Sequence, residues 1–325
     1  MGGKVPSTDK ANPDYSKVFG HSITQLADKE HKIICVTAAM EIGTGMSNFI
    51  KKYPDRYIDV GIAEEHAVTY SAGLSAAGFK PVVPIYSTFM QRAYDHIFHD
   101  ALLQQLPVVF CMDRAGLVGP DGPTHHGVFD ISFMRSFPDM IVTAPKDGNE
   151  LRNLLATALD SKRNFSIRYP KASSREFNLN SEPIIMKIGK WEILQKGTNT
   201  AILAVGSMVG MVIDDKDLIY RSLGYLPTIV NACFIKPLDN ELLMTLCESH
   251  SKIITIEEGI LTGGFGSAVS DFLHDNNQHN QLCRIGIPDH FIQQGTRKEL
   301  LQEVGLTIDN LISIIERKFE KTENI

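Results

Sequence analysis

Short apolar runs alternate along the first half of the chain with longer stretches in which apolar residues recur at helical spacing. "KIICVTA", "YIDVGI", "PVVPIYS", "PVVFCMD", "MIVTAP" and "FSIRYP" are bounded by turn or charged residues and predict buried strands. Between them, "HAVTYSAGLSAAG", "FMQRAYDHIFHDALLQQ" and "DGNELRNLLATALDSK" carry the helical period. Strands that are apolar throughout are covered on both faces, and regular strand–helix alternation builds parallel sheets. The predicted class is α/β.

The polar stretch "ASSREFNLNSEPIIMKIG" interrupts this rhythm and predicts a linker over 173–189. It separates a first domain, 12–172, from a second, 190–325. In the second, "TAILAVG", "PTIVNAC", "KIITIEE" and "QLCRIGI" predict strands, and "DDKDLIYRSLG", "DNELLMTLCESH" and "GFGSAVSDFLHD" predict helices. The chain closes on the amphipathic "KELLQEVGLTIDNLISIIERKFEK".

Composition adds mainly exclusions. With 325 residues, 43% hydrophobic and 22% charged, the chain is long enough for two cores. A net charge of −6 without a Lys/Arg stripe offers no footprint for nucleic acid or an anionic membrane. The five cysteines are widely spaced with no CxxC, which fits a reducing cytoplasm. The N-terminal "MGGKVPSTDKANPDYSK" is polar without an apolar leader core, and no stretch of the chain has the length of a membrane span.

Three stretches carry candidate chemistry. In "DVGIAEEHA", Glu64 falls in the first turn of a helix that follows a strand, the edge of a parallel sheet where ligands bind. A helix-dipole acid belongs at a wet surface, but the flanks here are small and apolar, so a carboxylate there is desolvated and suited to holding or sharing a proton. In "IYSTFMQRAYDHIFHD", Tyr86, Phe89 and Arg92 leave a strand end and enter a helix, where aromatics three apart share one face and could equally be core. His96 and His99 lack a third metal ligand at suitable spacing, so no metal site is expected.

The third stretch, "DRAGLVGPDGPTHHGVFD", is a long loop with four glycines, Arg114, Asp121, His125 and His126. Such a loop inside a compact domain is usually functional, and it matches neither a Walker loop nor a GxGxxG fingerprint. Arg114, Asp121 and His125 together suit binding an anionic substrate and moving protons on it. Arg168 and Lys171 in "RYPKASS" could reach an anion or form a surface charge pair. The Gly-rich "VGSMVGM" and "TGGFGSAV" read as tight strand-to-helix turns rather than phosphate loops.

Together "DVGIAEEHAVT", "YSTFMQRAYD", "DRAGLVGPDGPTHHGVFD" and "RYPKA" resemble the 1-deoxy-D-xylulose-5-phosphate synthase family, thiamine-diphosphate enzymes of the transketolase superfamily. The resemblance continues through "FIKPLD", "EEGILTGGFGSAV" and "GIPDHFIQQGTRKELLQEVGL". It implies a pyrimidine-binding α/β domain followed by a transketolase C-terminal domain. By the same resemblance Glu64 matches the acid that activates the cofactor through its aminopyrimidine nitrogen, and Phe89 matches the aromatic stacked on that ring. Arg92 and Tyr86 match their neighbours in the cofactor and substrate sites. Arg114 matches a substrate-phosphate ligand, Asp121 and His125 match polar groups of the substrate pocket, and His125 is assigned a catalytic role.

The implied reaction joins pyruvate and glyceraldehyde 3-phosphate with loss of carbon dioxide. Two departures qualify it. Lys171 replaces the family's phosphate-binding Arg, giving up bidentate geometry, and Cys233 stands where arginine is common. A larger one is that the family's GDG…N motif, which holds magnesium and the cofactor diphosphate, does not occur in these residues. The resemblance therefore implies a partner, either a diphosphate-binding N-terminal half or an α-type subunit, in a homodimer or heterotetramer. Competing expectations are the β subunit of a split transketolase or 2-oxo-acid dehydrogenase, and a non-catalytic assembly module.

Overall fold

The computed structural model describes residues 12–319. The polar N-terminal stretch before residue 12 and the end of the C-terminal amphipathic segment lie outside the described residues.

The first half folds as α1 (Tyr15–Lys29), β1 (Ile33–Thr37), α2 (Ser47–Lys52), β2 (Tyr57–Asp59), α3 (Glu64–Ala76) and β3 (Lys80–Tyr86). There follow α4 (Ser87–Met90), α5 (Tyr94–His96), β4 (Val109–Asp113), α6 (Asp130–Ser136), β5 (Ile141–Thr143), α7 (Gly148–Ser161) and β6 (Phe165–Arg168). The second half contains β7 (Glu192–Gln195), β8 (Thr200–Ala204), α8 (Ser207–Asp214), α9 (Lys216–Leu223), β9 (Thr228–Asn231), β10 (Phe234–Lys236) and α10 (Asn240–Ser249). It ends with β11 (Lys252–Ile260), α11 (Phe265–Asp275), β12 (Gln281–Ile287), α12 (Arg297–Glu303) and α13 (Ile308–Phe319).

Every apolar run read as a strand is one. Every residue of β1, β4, β5 and β6 is buried, as expected of strands covered on both faces. Helix boundaries follow their capping residues: Asp147 accepts from the Glu150 amide to open α7, and Thr296 and Glu299 form a capping box on α12. Two departures from the pattern bear on the site. Helix α1 starts within the N-terminal tract read as polar and runs beyond it, and its Tyr15, Val18, Phe19 and Ile23 form a buried stripe whose rings at 15 and 19 stack on Tyr169. The predicted long helix over 89–105 is broken into α4, a 3₁₀ turn at Gln91–Ala93, α5 and a π turn at Ile97–Leu102.

Two sheets result. The larger has the order β10-β5-β6-β4-β3-β1-β2, and its six first-half strands are parallel. The smaller, β12-β11-β8-β9-β7, is parallel except for β7. Strand β10 falls within the stretch expected to be purely second domain, 190–325, but pairs antiparallel with β5, Phe234 opposite Thr143. The two sheets are thus tied together through the chain itself rather than joined only by the 173–189 linker. In the larger sheet the chain turns outward from β1 to β2 and then returns to β3 on the other side of β1, which creates a switch point. Crevices at such switch points, outside the strands' carboxyl ends, are the usual ligand sites of open α/β sheets.

Candidate active site

The carboxyl ends of β2, β3 and β4 deliver the predicted residues to this crevice. Glu64 opens α3 and is only 1% exposed, with the dipole of that helix favouring its charge. Its burial is met by a countercharge, since Arg92 Nη1 donates to Glu64 Oε1 at 2.6 Å from the 3₁₀ turn. The break in the predicted long helix re-aims the side chains that follow β3. Arg92 lies over the Phe89 ring, 4.6 Å from its centroid, and Phe89 stacks on Tyr86 with centroids 6.0 Å apart. On the far side the Arg114 guanidinium caps the Tyr86 ring at 3.7 Å, and the His125 ring meets Phe89 edge-on at 5.2 Å. Glu64, Arg92, Phe89, Tyr86 and Arg114 therefore form one continuous stack, with His125 at its middle.

Arg114 is held in the left-handed region at φ 60°, a conformation uncommon for a side-chain-bearing residue, and donates to the Gly43 carbonyl at 2.7 Å. The same guanidinium reaches Asp113 Oδ1 at 3.3 Å. Asp113 is fully buried, and that burial raises its carboxyl from the ordinary 3.8 to about 6 against the opposing pull of Arg114. Between these values the folded state holds a proton that the unfolded chain releases, so stability falls as pH rises across the window. Urea denaturation midpoints measured from about pH 4 to about pH 7 are expected to fall less steeply for Asp113→Asn than for the wild-type chain. Equal slopes would remove Asp113 as their source.

The loop from Arg114 to Gly127 is ordered rather than a slack connector. Gly116 and Gly127 exchange backbone hydrogen bonds at 2.7 and 2.9 Å, closing its base. Asp121, near its tip, accepts from Lys171 at 2.6 Å, which holds its carboxyl below the usual range. Lys171 and Arg114 line one cleft with Ser16, Lys17 and Gly43, so helix α1, which the sequence pattern conceals, supplies part of its wall.

Other candidates fall elsewhere. His126 is buried and structural: its Nδ1 accepts from the Val118 amide at 3.1 Å, and Nε2 lies 3.2 Å from the Gln293 carbonyl. His66 is exposed, its ring edge-on to Tyr70. His99 pairs with Asp95, and among the described residues no cluster of three or more His, Cys, Asp or Glu side chains is placed to hold a metal. Arg168 is not a surface residue; it is buried and bonded to Asp130 at 2.8 Å. The Gly-rich "TGGFGSAV" is a turn whose helix start is already occupied, because buried Glu257 accepts from the Phe265 and Gly266 amides, each at 2.7 Å. Sequence reasoning does not reach Asp130, Glu258 or Lys17, whose roles depend on partners far along the chain.

A flat nitrogen heterocycle suits Phe89 together with Glu64, whose Oε2 accepts no hydrogen bond among the described residues. An anionic substrate suits Arg114 and Lys171. Residues 11–176 match the family described as "Transketolase, pyrimidine binding domain", and residues 189–311 match "Transketolase, C-terminal domain". A 1-deoxy-D-xylulose-5-phosphate synthase of Syntrophus aciditrophicus is 49% identical over 90% of this chain and 45% of its own length. That of Dictyoglomus thermophilum is 46% identical over 97% of this chain and 52% of its own length. This chain thus spans about half the length of the curated relatives it matches. Among solved structures, a split-gene transketolase described as an inactive β4 tetramer superposes with a TM-score of 0.85 at 26% identity, covering 94% of this chain and 98% of that one. A Campylobacter jejuni transketolase, at 18% identity and a TM-score of 0.77, shares the fold over 96% of this chain and 48% of its own.

Proposed function

The chain belongs to the transketolase family through both its pyrimidine-binding and C-terminal domains, and from that premise we propose that it is the pyrimidine-side half of a thiamine-diphosphate-dependent synthase. Its reaction would condense pyruvate with glyceraldehyde 3-phosphate to 1-deoxy-D-xylulose 5-phosphate, releasing carbon dioxide. The observation that carries this reading is the continuous stack from Glu64 through Arg92, Phe89 and Tyr86 to Arg114 at the switch point of the larger sheet.

When bound, thiamine diphosphate would supply the nucleophilic carbon and the electron sink that decarboxylation of a 2-oxo acid requires. The chain's own residues bind, orient and move protons around that centre. Glu64 would bond the pyrimidine ring nitrogen and exchange a proton there, while Arg92 keeps the buried carboxylate fixed. Phe89 would present its ring to the pyrimidine once a face of it, covered here by Arg92 and Tyr86, is freed. His125, beside Phe89, would move a proton on the reacting carbonyl oxygen, and Arg114 with Lys171 would take the acceptor's phosphate. Tyr86 and Asp121 shape the substrate pocket around them, Tyr86 by carrying Arg114 on its ring and Asp121 by holding Lys171.

The fit stops at the pyrimidine. Among the described residues nothing offers a metal cluster for the diphosphate, and the chain lacks the GDG…N motif. On this reading the diphosphate wall and its magnesium come from a diphosphate-binding half, on the same polypeptide or another, or from an α-type subunit, in a cytoplasmic homodimer or heterotetramer. Exposed Ile62, two residues before Glu64, and exposed Ile42, beside Gly43, are 81% and 85% accessible and leave apolar surface at the mouth for such a partner to cover.

A second reading, the β subunit of a split transketolase, is favoured by the match in extent to the split-gene structure. One experiment separates them. The chain is mixed with candidate diphosphate-binding halves, thiamine diphosphate, magnesium, pyruvate and glyceraldehyde 3-phosphate. Deoxyxylulose phosphate is expected from the mixture and none from the chain alone. Product only with a ketose-phosphate donor would overturn the synthase reading in favour of the transketolase one, and no product with any donor would leave an assembly module.

A further inference from the structure

The loop that carries Arg114 and His125 belongs to the first domain by sequence but is anchored in the second. Leu117 and Val128 are buried in the second domain's core cluster, which also holds Ile256, Ile285 and Ile292. The anchor is Glu258 on β11, 2% exposed. Its Oε1 accepts from the Leu117 amide at 2.9 Å. Its Oε2 accepts from the Ser207 hydroxyl at 2.8 Å, at the start of α8, and from the Arg297 guanidinium at the start of α12. Gly116 packs so closely that a β-carbon there would stand 2.5 Å from the Glu258 carboxyl carbon. The Glu258 carbonyl also accepts from Arg168 at 2.9 Å, and Arg168 continues through Asp130 to Ser87, the residue between Tyr86 and the Phe89 turn.

A buried carboxylate with three donors from three elements is costly to bury and rigid once satisfied. Here it meets the loop two to three residues beyond Arg114, whose left-handed backbone tolerates little freedom. We infer that Glu258 is a positioning residue, a clamp by which the C-terminal domain sets the substrate loop of the pyrimidine-binding domain. It acts on Arg114 and His125 through Leu117 and touches no ligand itself. The kinetic side of this inference rests on the function proposed above, whereas its structural side does not.

Two measurements test it. In the full chain, Glu258→Ala is expected to speed hydrogen exchange of the Leu117 amide about tenfold, with the change confined to 114–127. Glu258→Asp, one methylene shorter, keeps a charge for Arg297 but withdraws from Leu117, and serves the same purpose if the alanine variant does not fold. Glu258→Gln, which retains an acceptor, should recover most of the loss. In the reconstituted enzyme the alanine or aspartate variant should raise KM for the phosphorylated acceptor about tenfold while cofactor affinity stays within about twofold.

Exchange at Leu117 equal to wild type overturns the clamp, as does a parallel loss of acceptor and cofactor binding. If the wild-type mixture yields no product, the proposed function fails and the exchange measurement alone decides the clamp. Faster exchange confined to the loop then upholds it.

Discussion

Glu64→Gln in the reconstituted enzyme is expected to lower kcat by about 10²- to 10⁴-fold, the range associated with loss of a positioned acid–base group. Glutamine keeps the volume and one acceptor oxygen, so Arg92 retains a partner at the 2.6 Å contact. What disappears is the ability to carry a negative charge and, on the proposed function, to exchange a proton with the pyrimidine. Because the side chain is only 1% exposed, removing its charge also removes a desolvation cost, and the two effects on folding largely cancel. The denaturation midpoint should therefore hold while turnover is lost. Near-normal kcat would exclude Glu64 as the activating acid, and a collapsed midpoint would reassign it to structure.

The second large effect concerns stability. Arg168→Met is expected to cost about 3–5 kcal/mol, since it leaves the charge of Asp130 buried without its countercharge. Asp130 is 1% exposed and Arg168 5%. Asp130 would keep only the Ser87 hydroxyl at 3.0 Å and the Ile131 amide at 2.8 Å. The substitution also removes a donor to the Gly127 carbonyl within the first domain and to the Glu258 carbonyl of the second. Asp130→Leu should be costly for the reciprocal reason, and the double variant Asp130→Leu/Arg168→Met should lose less than the sum. Urea denaturation followed by Trp191, the only tryptophan and packed on Phe265 at the junction of the sheets, measures this directly. A cost below about 1 kcal/mol for Arg168→Met would show that water or another group replaces the arginine.

Much of the fold is legible because both sheets are largely parallel. Their strands are covered on both faces and read as unbroken apolar runs, and the helices between them show the 3.6 period. Glu64 is equally legible, because a local strand-to-helix transition dictates its place at the start of α3. Tyr86, Phe89 and Arg92 are legible as a group, but the 3₁₀ and π turns that aim them are not. Those turns pack against α3, and the segment holds no breaker residue that would announce them.

What escapes the sequence has a common cause. Arg168 reads as a surface or anion-binding residue because its partner, Asp130, lies 38 positions away. Strand β10 reads as second-domain chain because nothing in three residues states which sheet they will join. Helix α1 is hidden by polar neighbours, although its stripe at 15, 18, 19 and 23 keeps helical spacing.

By itself, the sequence determined the α/β class, the buried strands, and the strand-to-helix seams where Glu64 and the Tyr86–Arg92 group sit. These follow from periodicity and local backbone preference, which act over a few residues. Only the tertiary structure decided that Arg114 caps the same aromatic stack, that Lys17 shares its cleft, and that Glu258 holds Leu117 across 141 positions. Those contacts exist because two sheets pack at one relative setting. Buried polar groups must then find donors wherever that packing brings them, a requirement that no local pattern encodes.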